Sequence, residues 1–400
     1  MNRLERLVQI AKKPSRRIIG LMSGTSLDAI DAAMVRIRGH GPGAALKLEH
    51  FRSYPFPPKI RAAVRDLFDP KKARVDQICR YDFIMGELFA GAVLRIMKEA
   101  NVETHRVDLI AVAGQTIWHD PDPVMVEPDV PWLDGHIETR STFAIGQSAV
   151  IAERTGIITI GDLRVRDVAA GGHGAPLVPY FDWVLLRHKR RGRCIQNIGG
   201  IGNVTYIPPG GSWQDVFAFD TGPGNMIIDE LASVATNGRQ QYDIDGFLGA
   251  SGVVDEELLE KWMSDPYFIR KPPKTTGREL FGAQFAETVL NEAGDRRLED
   301  VIATATALTA ESIARAYRDF VEPRGPVDEV LLAGGGSRNP TLVGMIRSRL
   351  PNTKVEIYEA SEAKEAMAMA MIANDSVYGL HTNVAGATGG RPAILGKICL

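Results

Sequence analysis

Four hundred residues exceed what a single hydrophobic core organises, so two domains are expected. The composition, 44% hydrophobic and 24% charged, is that of a globular protein, and a net charge of −2 at pH 7 argues against a nucleic-acid or membrane-surface partner. No apolar run reaches membrane-spanning length, no His/Cys spacing matches a zinc site, and three scattered cysteines (Cys79, Cys194, Cys399) point to a reducing, cytoplasmic setting without disulfides.

Residues 1–17 are basic but lack the apolar core of a signal peptide, and read as a short helical or loose extension. Ile18–Ile37 follows, IIGLMSGTSLDAIDAAMVRI. One apolar run ends in Ser23-Gly24-Thr25-Ser26 and a second begins after Asp28, the pattern of two strands joined by a small-residue turn. Small residues let backbone N–H groups approach an anion, and Ser and Thr add hydroxyl donors. Asp28 would repel a phosphate unless a cation bridged them, so it suggests Mg²⁺ held directly or through water. Alone, this segment also reads as an ordinary hairpin.

The spacing of Ile78, Tyr81, Ile84, Met85 and Leu88 predicts a helix over Val75–Glu99 with that face in the core. A strand over Val107–Ala113 ends at Gly114-Gln115-Thr116; Gln115 and His119 just beyond it suit sugar hydroxyls, although a histidine in such a place also serves structure alone. The Asp- and Pro-rich stretch Asp120–Pro131 is expected to be a loop, a candidate flap. The strand Gly156–Ile160 runs into Gly161-Asp162, then Arg164 and Arg166, whose forked donors suit an anionic or hydroxyl-rich substrate as well as surface ion pairs.

After the charged passage Arg187–Arg193 the opening plan repeats in Cys194–Ile207: strand, Gly199-Gly200-Ile201-Gly202-Asn203, strand. A phosphate held by two such hairpins would lie between two similar halves. Next, Val216–Phe219 is apolar on both faces, as in a buried strand, and places Asp220 at a strand end, followed by Thr221-Gly222-Pro223-Gly224-Asn225. Such an aspartate can act as a general base or hold a metal; it can also simply cap a turn, and Asp162 at an equivalent strand end competes for the same role. Lys274, Thr275 and Arg278 either meet phosphate or decorate a loop. Ala303–Phe320 has helical periodicity. The strand Glu329–Ala333 ends in Gly334-Gly335-Gly336, which allows close approach of a flat nucleoside; Asn339-Pro340 then opens a helix as N-cap and first residue. Glu365 lies on the helix former Ala363–Ile372, where a glutamate ordinarily faces solvent. Alternating strands and helices place the chain in the α/β class.

Taken together, GLMSGTSLDAID, GQTIWH, GDLRVRD, GGHGAPLVP, NIGGIGN, FDTGPGN, YDIDG, PPKTTGRE, AGGGSRNP and the EAMAMA helix resemble the anhydro-N-acetylmuramic acid kinase family, two-domain ATP-dependent proteins of the hexokinase–actin superfamily. The resemblance covers nearly the whole chain, and MSGTSLD joined to DTGPGN is its most specific part. It implies two similar ribonuclease H-like α/β lobes around an ATP-binding cleft, with a first lobe over residues 18–190 and a second over 191–400 whose last helices pack back on the first. It also implies ATP and Mg²⁺ as cofactors, a small anhydrosugar as substrate, a homodimer, and a place in peptidoglycan recycling. In the family the FDTGPGN aspartate activates water and the glutamate of the EAMAMA helix positions it. Carried over, these are Asp220 and Glu365, which selects Asp220 over Asp162 as the base. ATP contacts then fall on Ser23, Gly24, Thr25, Ser26, Asp28, Gly199, Gly200, Gly202, Asn203, Gly334, Gly335, Gly336 and Asn339. Substrate contacts fall on Gln115, His119, Asp162, Arg164, Arg166, Gly222 and Asn225.

Ala29, where glycine is common, and Ala113, where histidine is frequent, depart from the family pattern, and the 120–140 region is longer than usual. Segments such as LLRHKRRGRCIQNIGG also look like levoglucosan kinase, making levoglucosan or another 1,6-anhydrosugar the alternative substrate. A non-catalytic, actin-like nucleotide sensor is a third reading, opposed by the presence of both Asp220 and Glu365.

Overall fold

The computed structural model describes residues 2–24, 27–358 and 362–400, with residues 278, 279 and 283 described by their backbone alone. The chain divides into two compact units, Met1–Val184 with Ser361–Leu400, and Leu185–Ala360. The sequence places the boundary at 190/191, with the last helices packing back on the first lobe; the observed division comes at 184/185, and Ser361–Leu400 is grouped with the first unit.

In the first unit, the two apolar runs around the Ser-Gly turn become β1 (Ser15–Met22) and β2 (Ala29–Arg38), and β3 (Ala45–Pro55) continues the meander. These three pair antiparallel in sequence. β4 (Leu109–Val112) joins β1 in parallel. A separate antiparallel arm follows, β5 (Gln115–Val126) with β6 (Ile137–Ile145), before β7 (Thr159–Gly161) pairs parallel with β4. The C-terminal strand Lys397–Cys399 adds antiparallel to β7 and completes the sheet.

Because side chains alternate along a strand, Ile19 and Leu21 of β1 face one way and Gly20 the other. Ile19 and Leu21 enter the core with Met85, Phe89, Val93 and Ile96 of the Val75–Glu99 helix. The predicted helix is present, but its most buried stripe lies one turn further along than the predicted one, where Ile78, Tyr81 and Leu88 only flank the core. On the opposite face of β1 the helix Lys364–Ser376 comes so close that a Cβ on Gly20 would stand 1.8 Å from the Ala366 carbonyl oxygen. Only glycine admits that approach, and it sets Glu365, in the first turn of that helix, near the β1–β2 turn.

The stretch expected to be a loop at Asp120–Pro131 is largely strand. Its apolar side chains Val124, Met125 and Val126 are exposed, so no burial period marks the sequence. The pairing with β6 shifts between Asp120 and Val124, where Pro121 and Pro123 have no N–H to give to a ladder.

The second unit repeats the arrangement. β8 (Arg193–Ile198), β9 (Ile201–Ile207) and β10 (Phe217–Pro223) form an antiparallel meander around the second glycine turn. β11 (Glu329–Ala333) then pairs parallel with β8, and β12 (Lys354–Ile357) parallel with β11. The strand order, β10-β9-β8-β11-β12, matches β3-β2-β1-β4-β7 of the first unit, so both units are α/β with the ribonuclease H-like order expected. The helix Leu298–Ala316 is buried almost all round. Its Ala- and Thr-rich sequence permits this, because Thr304 and Thr306 donate their hydroxyls to carbonyls one turn back, those of Asp300 and Ile302.

Candidate active site

In the second unit the glycine turns meet. β8 and β11 run in parallel, so Gly199 after one and Gly334 after the other lie at the same edge of the sheet, outside the C-terminal strand ends. There a Cβ on Gly224 would stand 2.1 Å from the Gly199 carbonyl oxygen, and one on Gly334, at φ +82°, 2.6 Å from that of Ile198. A Cβ on Gly336 would lie 2.6 Å from Asn225 Oδ1. The N–H groups of Gly224 and Asn225 donate to the carbonyls of Gly200 and Gly199 at 2.9 and 2.7 Å. Asn225, expected to contact substrate, therefore sits among the glycine turns themselves. Asn339 caps its helix, its side chain accepting from the Leu342 N–H at 3.0 Å with Pro340 next in line.

Asp220 belongs to the same sheet. It lies opposite Asn203, and Gly222 lies opposite Gly202, so Thr221 is an extra residue that bulges β10 at this point. Bulges re-aim the side chains beside them. The half-buried Asp220 carboxylate accepts the Thr276 N–H at 2.9 Å through Oδ2. Its backbone N–H donates to the Lys274 carbonyl at 3.2 Å, and its own carbonyl accepts the Tyr267 hydroxyl at 2.7 Å. Gly222, at φ +142°, could not carry a Cβ without meeting the Phe268 ring at 2.8 Å. Lys274, one of the expected phosphate cations, is 2% exposed and turns its ammonium inward onto the Tyr267 carbonyl at 3.1 Å. The side chain of Arg278 lies outside the described residues.

The first unit gathers a different set. Glu365 is solvent-accessible, yet the protein crowding it raises its pKa; Arg164 opposes that shift and Asp31 reinforces it. Asp31, on β2 opposite Met22, is raised as well, by burial first, against a hydrogen bond from Ser53. Burial lowers the Arg164 guanidinium, offset by Glu365; Arg164 also donates to the Gly174 carbonyl at 3.0 Å. His119, beside Thr142 at 3.1 Å, is pushed down by burial and then by Arg164 and His173. Perturbed acids and bases in mutual range mark a functional site. Sequence reasoning missed Asp31 and His173. The signal for Asp31 was available: a lone carboxylate inside the apolar run AIDAAMV.

Other expected residues are committed elsewhere. The Ser23 hydroxyl donates to Gln115 Oε1 at 2.5 Å and both residues are buried, tying the end of β1 to the start of β5. The Gly24 carbonyl accepts from the Leu27 N–H at 3.1 Å. Thr25 and Ser26 lie outside the described residues. Asp28 is exposed and paired with Arg61. Asp162 adopts φ +52° and pairs with Lys397 at 3.6 Å, and Arg166 is exposed. Among the described residues no group of three His, Cys, Asp or Glu side chains could hold a metal ion, and no helix is long and apolar enough to cross a membrane.

A sequence model described as anhydro-N-acetylmuramic acid kinase matches residues 16–400. A protein of that name from Caldanaerobacter subterraneus subsp. tengcongensis is 46% identical over 99% of this chain and 100% of its own length. One from Bacillus cereus is 43% identical over 95% of this chain and 98% of its own length. Among solved structures, a ROK hexokinase from Thermus thermophilus aligns over 89% of this chain and 97% of its own, at 14% identity and a TM-score of 0.38.

Proposed function

Because the chain belongs to the anhydro-N-acetylmuramic acid kinase family, we propose that it opens 1,6-anhydro-N-acetylmuramic acid with water and phosphorylates the freed 6-oxygen at the expense of ATP. The observation that carries this reading is Asp220: a carboxylate on a bulged strand, gripped by backbone groups, in the same sheet as the glycine turns.

In the reaction, Asp220 takes a proton from water as the oxygen attacks the anomeric carbon. The bond from that carbon to the bridging 6-oxygen breaks. The 6-oxygen attacks the γ-phosphorus, the bond to the β-phosphate oxygen breaks, and ADP leaves. The product is N-acetylmuramic acid 6-phosphate. General-base assistance of this kind contributes roughly 10²- to 10⁴-fold. Glu365 orients the water, and Arg164 offers a fork of donors to an anionic or hydroxyl-rich sugar. The Gly199–Asn203 turn suits phosphate, and the glycines at Gly334–Gly336 allow close approach of a flat nucleoside.

Mg²⁺ fits Asp28. Asp28, an exposed carboxylate paired with Arg61, would hold the ion directly or through water. When bound, it neutralises charge on the transferring phosphoryl group.

The test is ADP release measured with ATP and either anhydro-N-acetylmuramic acid or levoglucosan, with the product identified by mass. Phosphorylated muramic acid is expected. Turnover confined to levoglucosan would move the substrate assignment, and nucleotide hydrolysis without a phosphorylated sugar would remove the kinase reading.

A further inference from the structure

Lys274 is a buried cation in a setting that an apolar side chain would fill at less cost. Its ammonium lies 4.6 Å from the centre of the Tyr267 ring, 4.8 Å from Phe320 and 5.8 Å from Phe219. It donates to the carbonyls of Tyr267 and Phe268 at 3.1 and 3.4 Å. Burying an ammonium is expensive, and burial lowers the Lys274 pKa to about 8. Asp319 and Asp220 favour its charge, while Arg315 and Arg270 oppose it. Cation–π contacts and two carbonyl acceptors offset part of that cost, but a methionine would incur none of it.

The carbonyls that Lys274 engages, and the Tyr267 ring, belong to the segments that grip Asp220. Tyr267 gives its hydroxyl to the Asp220 carbonyl, the Lys274 carbonyl receives the Asp220 N–H, and the Thr276 N–H binds the carboxylate itself. The Lys274 side chain thus staples the Tyr267–Phe268 turn to its own loop, and both ends of the staple hold Asp220. We infer that Lys274 is a positioning residue: its ammonium fixes the 274–276 backbone so that the Asp220 carboxylate keeps one direction. This rests on the reading of Asp220 as the base. It also gives Lys274 a role other than contact with nucleotide phosphate.

The experiment compares Lys274→Met, Lys274→Arg, Tyr267→Phe and Asp220→Asn in the full chain, by steady-state kinetics and by calorimetric binding of ADP. Misplacing a reacting group by about 1 Å costs on the order of 10²-fold. Lys274→Met is therefore expected to lose roughly that factor in kcat, with KM for ATP and sugar and the ADP affinity unchanged, and Lys274→Arg to recover most of it. Should Lys274→Met fail to fold, Tyr267→Phe, which deletes one hydroxyl on the Asp220 carbonyl, is expected to lower kcat alone. Wild-type kcat in Lys274→Met, or in Tyr267→Phe where it stands in, overturns the inference. So does a raised KM for ATP at preserved kcat, the signature of a phosphate contact. An inactive Asp220→Asn beside a fully active Lys274→Met removes the inference and leaves the base in place, whereas an active Asp220→Asn removes both.

Discussion

The hairpins β1–β2 and β8–β9 occupy the same place in two sheets of the same strand order, yet the described contacts at their turns differ in kind. The first is tied by side chains: Ser23 to Gln115, Asp28 to Arg61. The second is tied by backbone packed on backbone, with Gly224 against Gly199 and Gly334 against Ile198 too close to admit a Cβ. The carboxylates follow suit. Asp220 in the second unit is oriented by a peptide N–H, whereas the solvent-accessible Glu365 in the first is set by the protein crowding it and the charges of Arg164 and Asp31. A repeated topology therefore fixes where a turn lies without fixing which forces hold it, and the two halves have specialised accordingly.

Five substitutions break or sharpen this contrast. The largest effect is expected for Asp220→Asn, which keeps the shape and removes the base: kcat falls by about 10³-fold while calorimetry still shows ADP binding. Next come glycine replacements in the two units. Gly224→Ala forces a Cβ to 2.1 Å from a backbone oxygen at the glycine turns, and Gly20→Ala one to 1.8 Å from the Ala366 carbonyl beneath Glu365. Each is expected to cost roughly 1–3 kcal/mol or more of stability in a denaturant titration. The distinction lies in function: Gly224→Ala weakens nucleotide binding, whereas Gly20→Ala lowers kcat with nucleotide binding intact.

Glu365→Gln is expected to reduce kcat without lowering the thermal midpoint at neutral pH. A carboxyl whose folded pKa is raised stabilises the fold below its unfolded pKa and loses that contribution as pH rises through the folded one. A neutral isostere keeps it, so the midpoint of the variant declines less steeply above pH 4.5 than that of the parent chain. The smallest effect belongs to Asp229, in the first turn of the Met226–Ala235 helix after Asn225. Burial, reinforced by Asp243, raises its pKa to about 6. Its stabilising contribution is complete below its ordinary value of 3.8 and is lost through about pH 6; Asp229→Asn should flatten the stability curve over that window and leave kcat unchanged.

Much of this architecture was legible before any coordinates. Both hairpins, the helix at Val75–Glu99 and the Asn339-Pro340 helix start announce themselves through local chemistry: small residues in turns, apolar periods, a capping side chain. What depends on long-range pairing did not show. The β5–β6 arm hides because its apolar side chains are exposed and its prolines interrupt the ladder. Lys274 reads as a phosphate cation because nothing in PPKTTGRE reveals that Tyr267, Phe219 and Phe320 surround it. Asp31 and His173 matter only through neighbours distant in sequence. Asp162 and Asp220, alike as strand-end aspartates, part company in three dimensions: one bends through a left-handed turn and meets Lys397, the other is clasped by peptide groups.

The close seating of the Lys364–Ser376 helix on Gly20 has a bearing on synthesis. The strand Ser15–Met22 receives its covering helix from Lys364–Ser376, far along the chain. Until that helix has been made, one face of the strand lacks this partner, and the first unit is completed only after Leu185–Ala360. Nascent chains arrested before Lys364–Ser376 should consequently be protected from protease within Leu185–Ala360 before they are protected around β1.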